Sequence, residues 1–406
     1  MAAALQAAWQ GAPVTLIERN AVPGRKLLVT GSGRCNITNA AVTPARYACA
    51  DEAWLAALFN RFGVPDLLDM LARIGVPVYH TSDGWYYPLS NSAQGVADAF
   101  AAALQQAGVE LLLDTRVTAI HAGEGGFALD LHGPQGARQA AFERVILAAG
   151  GKAYPALGSR GELFPALERL GHTVTPKRPA LAPVLAELGG LRPLQGVRLD
   201  VGASLWQGQT LLAHTAGNLI FTEWGLNGPA VMDLSHHVSA RPGAALSLSL
   251  NLLEFHQAAF DDLLRRKRGE PFPLRVLLGA FFPPKVAPLF LRLAGLSPEA
   301  LLNQVDPPAL ERLLALLRDT RLAVKGVRDF EYCQVSAGGV PVAEVDARTQ
   351  ESRRVAGLYL CGETLDVVGP CGGYNLQFAF SSGAAAGLAV GLAVGLAAGQ
   401  GVRDGG

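Results

Sequence analysis

A glutamate at the end of a short apolar segment is the first residue whose position suggests chemistry. The stretch Val14 to Glu18 reads as a strand that ends in a carboxylate. In dinucleotide-binding βαβ units an acidic residue at this place binds a ribose hydroxyl, about 20 residues after a glycine fingerprint. Counting back from Glu18 puts that fingerprint at or before residue 1. Glu18 is therefore a candidate ribose ligand, although such a carboxylate read alone is more often a surface group.

A glycine-rich turn at residues 31–36 follows the cations Arg25 and Lys26 closely in sequence. Glycines let backbone N–H groups approach an anionic or planar ligand, and nearby cations offset phosphate charge. Further along, the apolar segment Val145 to Ala149 leads into a glycine pair, and small strand ends of this kind admit a cofactor at the carboxyl edge of a sheet. Taken alone, each pattern also fits a solvated basic turn or an ordinary strand end.

The strongest local pattern lies near the end of the chain. The segment Leu358 to Gly362 reads as a buried strand that delivers Glu363, and the pair Gly372-Gly373 opens a final helix. The acid could bind a ribityl or ribose hydroxyl. The positive N-terminus of the helix could stabilise negative charge on a reduced flavin ring. The structural alternative is a capped helix with Glu363 in a salt bridge.

These candidate residues need a parallel sheet to hold them, and the order of helical and strand patterns along the rest of the chain predicts such a sheet. Helical spacing covers about 51–74 and 92–107, and short strands with a small antiparallel meander follow between 110 and 149. Composition changes near 176–179. Alternating short strands then run to about 250, Leu-rich helical spacing to about 320, and strands near 331–335 and 357–361. We expect an α/β cofactor domain over 1–180 and 326–406, interrupted by a β-rich domain over 181–254 and a helical subdomain over 255–325.

Composition argues against several classes of protein. Lys plus Arg and Asp plus Glu each number 34 among 406 residues, so no charge excess draws the chain to nucleic acid or an anionic membrane. The five cysteines form no C-x-x-C pair and no metal-ligand spacing, which predicts a reducing, cytoplasmic setting without a metal site. The uncharged stretch 378–399 carries a glycine every four residues from 383, which predicts a buried helix rather than a membrane span.

Five long motifs occur in order along the chain: Pro23-Gly-Arg-Lys26 with Gly31-Ser-Gly-Arg-Cys-Asn-Ile-Thr-Asn39, Phe221-Thr-Glu-Trp-Gly-Leu-Asn-Gly-Pro229, Ala337-Gly-Gly-Val340, Gly357-Leu-Tyr-Leu-Cys-Gly-Glu363 and Gly372-Gly-Tyr-Asn-Leu-Gln377. Through them the chain resembles the BaiN-like family of flavoproteins, a group of NAD(P)/FAD-dependent oxidoreductases. The resemblance runs from residue 1 to about 390. Several long motifs in order are more specific than any single glycine pattern.

The resemblance implies a discontinuous, Rossmann-like FAD domain of the two-dinucleotide-binding type, with an inserted β-barrel-like domain and a helical subdomain. In such folds Glu18 would hold the adenosine ribose, Val117 would bond adenine through its backbone, and Glu363 would lie by the ribityl chain. The full set of expected cofactor ligands is Glu18, Arg25, Lys26, Ser32, Gly33, Val117, Ala149, Gly150, Gly362, Glu363, Gly373, Asn375 and Leu376. No catalytic residue is assigned, because the pocket-wall candidates His80, Tyr86, Tyr87 and Tyr374 are more often structural.

The family's opening strand and glycine-rich loop are absent from the sequence. That strand normally lies in the middle of the sheet, so its loss would leave two neighbouring strands with unpaired N–H and C=O groups, each costing about 1–3 kcal/mol. We therefore expect the natural protein to start some 10–15 residues upstream, the length of about one strand and loop. A chain that truly starts at Met1 is expected to bind FAD weakly or to misfold.

The expected activity is FAD-dependent oxidation or reduction of a small molecule, in which NAD(P)H or an organic substrate passes hydride to the flavin. Three alternatives stay open: an amine-type oxidase, a flavoprotein that modifies tRNA, and a non-catalytic FAD-binding protein. The balanced charge and the lack of a basic, aromatic-interleaved tract argue against the tRNA alternative. Neither a nucleic-acid partner nor a membrane partner is expected.

Overall fold

The structure is a computed structural model that describes residues 1–401. Its helices are α1 (Ala2–Trp9), α2 (Glu52–Arg61), α3 (Val64–Arg73), α4 (Ala93–Gln106), α5 (Phe164–Arg169), α6 (Pro229–Met232), α7 (Ser235–Ser239), α8 (Gln257–Lys267), α9 (Leu274–Gly279), α10 (Val286–Leu293), α11 (Pro307–Arg318) and α12 (Tyr374–Gly401). Its strands are β1 (Thr15–Ile17), β2 (Thr38–Asn39), β3 (Val78–His80), β4 (Trp85–Pro88), β5 (Glu110–Leu112), β6 (Arg116–Gly123), β7 (Gly126–Gly133), β8 (Gly136–Phe142), β9 (Val145–Leu147), β10 (Arg178–Ala180), β11 (Val184–Ala186), β12 (Arg198–Gln207), β13 (Thr210–Thr222), β14 (Gly225–Asn227), β15 (Leu246–Asn251), β16 (Thr320–Val327), β17 (Val335–Ala337) and β18 (Leu358–Leu360).

The chain folds into two compact units. Unit 1 comprises Met1–Lys177 together with the segment from Val335 onward, and unit 2 comprises Arg178–Gln334. Unit 1 is therefore discontinuous in sequence, and unit 2 is inserted into it.

Two separate parallel strand pairs form the centre of unit 1. β1 pairs with β5, with Thr15 opposite Glu110, and β9 pairs with β18, with Val145 opposite Leu358. In the described part of the chain neither β1 nor β9 has a strand partner along its other edge.

Short and exposed strands account for most of what the sequence pattern missed in unit 1. β6, β7 and β8 form the expected antiparallel meander, but β8 is largely exposed and so lacks an alternating apolar signal. The small sheet β2-β4-β3 was not expected either, because its strands have only two to four residues. Helix-length patterns are easier to detect than strands of that size.

The predicted helix over 51–74 is two helices. Asp51 caps the first by accepting a hydrogen bond from Trp54 N at 2.9 Å. The chain turns at Gly63, whose N–H donates to Asp66 Oδ2 at 2.7 Å, and Pro65 then lies in the first turn of the second helix. Proline lacks an N–H and suits only a helix start, so the continuous apolar spacing had to be broken there.

The glycine stripe of α12 packs on α1. A Cβ added at Gly387 would overlap the Ala3 carbonyl oxygen, and one added at Gly391 would lie 2.5 Å from Gln10 Cβ. Tyr374–Val394 is long and apolar enough to cross a membrane by composition, with a mean hydropathy of 1.5, but 61% of that window is buried inside the protein. The prediction of a buried core helix is confirmed, and the glycines permit the close approach of the two backbones.

Unit 2 is built around a closed barrel of six strands in the order β11-β14-β13-β12-β15-β16. α8 to α11 follow β15 and precede β16, so the helical segment connects two neighbouring barrel strands. The sequence pattern placed residue 320 in a helical stretch, but helix α11 ends at Arg318 and β16 begins at Thr320. Buried Leu248 of the barrel and Phe290 of α10 belong to one continuous hydrophobic core.

Candidate functional site

A cavity of about 530 Å³ opens in unit 1 where β1 and β9 end. Its wall includes every residue of these two strands and none of their partners β5 and β18, so it occupies the break between the two strand pairs. Alanines of α1 line its apolar part. Charged side chains lie beyond the carboxyl ends of the strands, which is where ligands bind in parallel α/β sheets.

Glu18 stands at the end of β1 with one carboxylate oxygen occupied. Its Oε1 accepts hydrogen bonds from the Asn20 backbone N–H at 2.8 Å and from Asn20 Nδ2 at 2.6 Å. Oε2 accepts no hydrogen bond from a described residue. The backbone of Glu18 is fixed by bonds with Leu112 O and Thr115 N, each at 2.9 Å. The carboxylate is therefore held in place while one oxygen remains available to a ligand hydroxyl.

Positive charge gathers beside Glu18. Arg25 donates to Asn20 Oδ1 at 2.8 Å and forms no ion pair within the described residues, so its charge is not neutralised. Arg19 differs, because it pairs with Glu162 at 2.5 Å. An uncompensated guanidinium at the cavity wall is suited to a phosphate group.

Glu363 is held by a polar clamp at the end of β18. Lys26 Nζ forms an ion pair with Glu363 Oε2, and Glu363 Oε1 accepts a hydrogen bond from the Ser336 backbone N–H at 2.9 Å. The Ser336 hydroxyl accepts a hydrogen bond from Lys152 N, also at 2.9 Å. Gly151 packs so closely here that an added Cβ would overlap Ser336 Oγ. A glycine at position 151 is thus required for this packing.

Thr364 supplies a further polar atom at the cavity wall. Its side chain is only 2% exposed, and its Oγ1 has no hydrogen-bond partner in the described structure. A buried hydroxyl without a partner costs free energy, so this atom favours a ligand that can bond with it. Cys361, three residues earlier, is inert by contrast, because burial raises the pKa of its thiol to about 12.

The structure brings together only part of the expected ligand set. The residues that line the cavity are Glu18, Arg25, Lys26, Val117, Ala149, Gly150 and Glu363. The residues that lie outside its wall are Ser32, Gly33, Gly362, Gly373, Asn375 and Leu376. The expected flavin ligands Glu18, Ser32, Glu363 and Asn375 therefore do not converge on a single cavity in this structure.

Local contacts explain why the second group lies elsewhere. Gly373 approaches β2 so closely that an added Cβ would lie 2.6 Å from the Thr38 carbonyl. The side-chain amide of Asn375 forms hydrogen bonds with the loop before α12. Its Oδ1 accepts a hydrogen bond from Gly369 N at 2.8 Å, and its Nδ2 donates one to Gly369 O at 2.7 Å. Ser32 has a left-handed φ of 58° in the glycine-rich turn. These residues shape the turn and the start of α12.

Sequence reasoning missed Asn20, Ser336 and Thr364. Asn20 and Thr364 each lie within two residues of a predicted acid, so the acids were the signal that could have found them. Ser336 precedes the Ala337-Gly-Gly-Val340 motif by one residue, but its contact with Glu363 spans 27 residues and has no local pattern.

A buried cluster outside the cavity has the atom order of a serine–histidine–carboxylate triad. His172 Nδ1 lies 2.7 Å from Glu344 Oε2, and His172 Nε2 lies 2.9 Å from Ser352 Oγ. These three residues are 4%, 9% and 7% exposed, respectively. Ser352 Oγ already accepts two backbone N–H bonds, at 3.0 and 2.9 Å, so it is not poised to attack a substrate. Burial alone would raise the pKa of Glu344, but hydrogen bonds led by that from Arg354 hold it at about 2. The cluster stabilises the fold.

Comparison with known proteins identifies the family. The family described as HI0933-like protein Rossmann domain matches residues 1–389. The chain belongs to this family. Among its relatives, the 3-dehydro-bile acid delta(4,6)-reductase of Clostridium scindens is 32% identical over 380 residues, covering 92% of each chain. The ribosomal RNA dihydrouridine synthase of Escherichia coli is 31% identical over 376 residues, covering 92% of this chain and 90% of its own.

Two solved structures also match this HI0933-like protein, at lower sequence identity than the relatives above. An E. coli quinol fumarate reductase matches with a TM-score of 0.48 and 14% identity, covering 99% of this chain and 72% of its own. A 3-ketosteroid-delta4-(5alpha)-dehydrogenase from Rhodococcus jostii matches with a TM-score of 0.46 and 14% identity, covering 96% and 94%. The family match confirms the resemblance to BaiN-like flavoproteins. The HI0933-like chain is an FAD-dependent oxidoreductase with a Rossmann-type fold.

The cavity residues of this HI0933-like protein fit an FAD molecule. Glu18 offers a free carboxylate oxygen for a ribose hydroxyl, and Arg25 offers charge for a pyrophosphate. Thr364 Oγ1 is buried without a partner, and the small residues after β9 leave room for a ligand at the sheet edge. Each feature is available without breaking an existing hydrogen bond.

Proposed function

We propose that this chain binds FAD across the polar end of the unit 1 cavity and reduces a carbon–carbon double bond conjugated to a carbonyl group, with NAD(P)H as the electron donor. The observation that carries the proposal is the pair of carboxylates at strand ends, Glu18 and Glu363, on the wall of one cavity. When bound, FAD would supply hydride transfer, which no side chain can provide.

Each residue has a distinct proposed task. Glu18 Oε2 accepts a hydrogen bond from a ribose hydroxyl of the adenosine half. Arg25 offsets the pyrophosphate charge. Glu363 is already bonded at both oxygens, so it holds Lys26 Nζ at the cavity wall, where the ammonium can face a ligand oxygen. Thr364 Oγ1 donates a hydrogen bond to the same ligand. Val117 lies at the wall as the proposed backbone partner of adenine.

The names of two relatives support the class of substrate. A 3-dehydro-bile acid carries a ketone at C3, and reduction at positions 4 and 6 acts on double bonds conjugated to it. A dihydrouridine is a uridine whose C5–C6 double bond, conjugated to the C4 carbonyl, has been reduced. Both are reductions of an electron-poor double bond. We propose a small ring compound of this kind as the substrate.

A ribosomal RNA substrate is the second candidate, because two relatives are named as ribosomal RNA dihydrouridine synthases. Equal numbers of acidic and basic residues argue against tight binding of an extended polyanion. RNA binding that weakens steeply with salt would favour this candidate. An amine-type oxidase would consume oxygen without NAD(P)H, and a non-catalytic protein would bind FAD without being reduced by any donor.

The experiment is anaerobic reduction of the FAD-loaded protein, monitored by visible absorbance. We expect NADH or NADPH to bleach the flavin band, and an α,β-unsaturated ketone to restore it. Bleaching by an amine alone would favour the oxidase, and recovery with uridine-containing RNA but not with ketones would favour the RNA candidate. A protein that takes up no FAD would contradict the proposal. The sequence has five scattered cysteines and no C-x-x-C pair, which supports a site of action in the reducing cytoplasm.

A further inference from the structure

A loop of unit 1 forms part of the cavity wall and has no role in the proposed FAD site. Residues 153–162, which we call the flap, lie between the glycine pair that follows β9 and the start of α5. The flap residues that line the cavity are Ala153, Leu157, Gly158, Ser159, Gly161 and Glu162. The flap therefore belongs to the same unit and the same cavity as the proposed cofactor ligands.

Three hydrogen bonds join the flap to the residues that follow β1. Arg19 donates to Gly158 O and to Glu162 Oε2, and we call these two bonds the latch. Asn20 Nδ2 donates to Leu157 O at 3.2 Å. The flap starts beside the end of β9, and these bonds fasten it beside the end of β1. Because β1 and β9 both border the cavity, the flap lies across its carboxyl edge.

Hydrophobic packing contributes little to holding the flap in this position. Ala153 is the one buried residue among its ten, whereas Ala156 and Arg160 are exposed. Gly150, just before the flap, and Gly161, near its end, have φ values of 77° and 75°, and glycine tolerates rotation at such positions better than other residues. A segment with few buried contacts opens at a low free-energy cost. The latch is therefore an important part of what keeps the flap closed.

We infer that the flap is a gate, which must leave the end of β1 for FAD to enter or leave the cavity; this inference rests on the proposed FAD site. The latch suits this use because its ion pair is partly exposed, at 24% for the Arg19 side chain and 41% for that of Glu162, and such pairs are weak. Asn20 connects the gate to the site, since it also donates to Glu18 Oε1 at 2.6 Å.

The first test measures the opening of the flap without FAD. Trypsin needs several extended residues in its active site, so the rate of the cut after Arg160, followed by mass spectrometry, reports the population of the open flap. Arg19→Gln removes the latch and should speed this cut about 10-fold. Glu162→Gln removes only the ion pair and should speed it about 3-fold. Glu168→Gln is the matched control, because Glu168 is an exposed acid outside the cavity wall, and it should be cut at the wild-type rate.

The second test measures the passage of FAD into and out of the same variants by stopped-flow flavin fluorescence. A gate acts on both directions of passage. Arg19→Gln should therefore raise the association and dissociation rate constants by the same factor, about 10-fold, and leave Kd within about twofold of wild type. Arg19→Lys keeps a cation beside Glu162 and should give intermediate rate constants.

The outcomes separate the gate from the proposed function. Unchanged cutting after Arg160 in Arg19→Gln, at an unchanged melting temperature, would overturn the latch. Faster cutting with unchanged FAD rate constants would overturn the gate, and so would a rise in the dissociation rate constant alone, which is the effect of a lost ligand contact. In each of these cases FAD still binds and the proposed function stands. A protein that takes up no FAD in any variant overturns the proposed function and the gate with it.

Discussion

Replacing Gly151 with alanine should loosen the clamp around Glu363, and removing the Ser336 hydroxyl should cancel that effect. A Cβ at position 151 would overlap Ser336 Oγ, whereas its next nearest neighbour, Glu363 Oε1, would be 3.2 Å away. The backbone at Gly151 does not have a positive φ, so the strain comes from this contact alone. The serine hydroxyl must move, and the clamp must change with it.

The magnitude follows from the bonds that the hydroxyl makes. Ser336 Oγ accepts from Lys152 N at 2.9 Å and lies 3.4 Å from Glu363 Oε1. Each hydrogen bond contributes about 0.5–1.5 kcal/mol, so Gly151→Ala should lower the free energy of unfolding by about 1–3 kcal/mol. Ser336→Ala removes the same bonds. In that background the nearest neighbours of the added methyl are Glu363 Oε1 at 3.2 Å and Glu363 Cβ at 3.4 Å, and the second substitution should cost less than about 1 kcal/mol.

A double-mutant cycle by urea unfolding measures this coupling. We expect an interaction energy of about 1–3 kcal/mol between the two substitutions, with the double variant close to Ser336→Ala. Gly123→Ala is the matched control, because an added Cβ there meets no atom within 4 Å. If the losses of the two single variants simply add in the double variant, the described packing of Gly151 on Ser336 is wrong.

Three further predictions concern the stability and reactivity of unit 1. Gly387→Ala should destabilise the protein by about 1–3 kcal/mol in urea unfolding, because the methyl overlaps the Ala3 carbonyl; Gly383→Ala, whose nearest neighbour would be 3.7 Å away, should be neutral or slightly stabilising. The pKa of Glu344 is lowered from 4.5 to about 2 in the folded state, so its contribution to stability is present above pH 4.5 and is lost as pH falls toward 2. The free energy of unfolding should drop by up to roughly 3 kcal/mol over that range, and Glu344→Gln should remove this drop. Burial raises the pKa of Cys35 to about 11, so iodoacetamide at pH 8 should leave it unmodified in the native protein and label it after unfolding; native labelling would contradict its burial.

The placement of the two acids could be predicted because it depends on local order. Glu18 follows the apolar run of β1, and Glu363 follows that of β18, so each acid had to lie at a carboxyl end. Their arrangement in space could not be predicted. The pairing of Lys26 with Glu363 joins residues 337 positions apart, and no periodic pattern encodes such a contact.

The errors in the fold have equally local causes. A single helix over 51–74 is predicted because the apolar spacing continues across Gly63. A new helix begins after Gly63 instead, with Pro65 in its first turn. β16 was overlooked because Arg321 and Lys325 lie on its exposed face and a Leu-rich helix runs directly into it. The glycine stripe of α12 was interpreted correctly because small residues every four positions have one consistent use, the close packing of a helix on another backbone.

The measurement that tests the central claim most directly is an FAD titration of the whole chain, in which binding is monitored by the quenching of flavin fluorescence. The account predicts saturable 1:1 binding that weakens about 10-fold or more in Glu18→Gln, since a charge-assisted hydrogen bond contributes about 1.5–3 kcal/mol. Glu168→Gln, an exposed acid outside the cavity wall, should bind as wild type does. Equal affinities for all three proteins would contradict a flavin site at the end of β1.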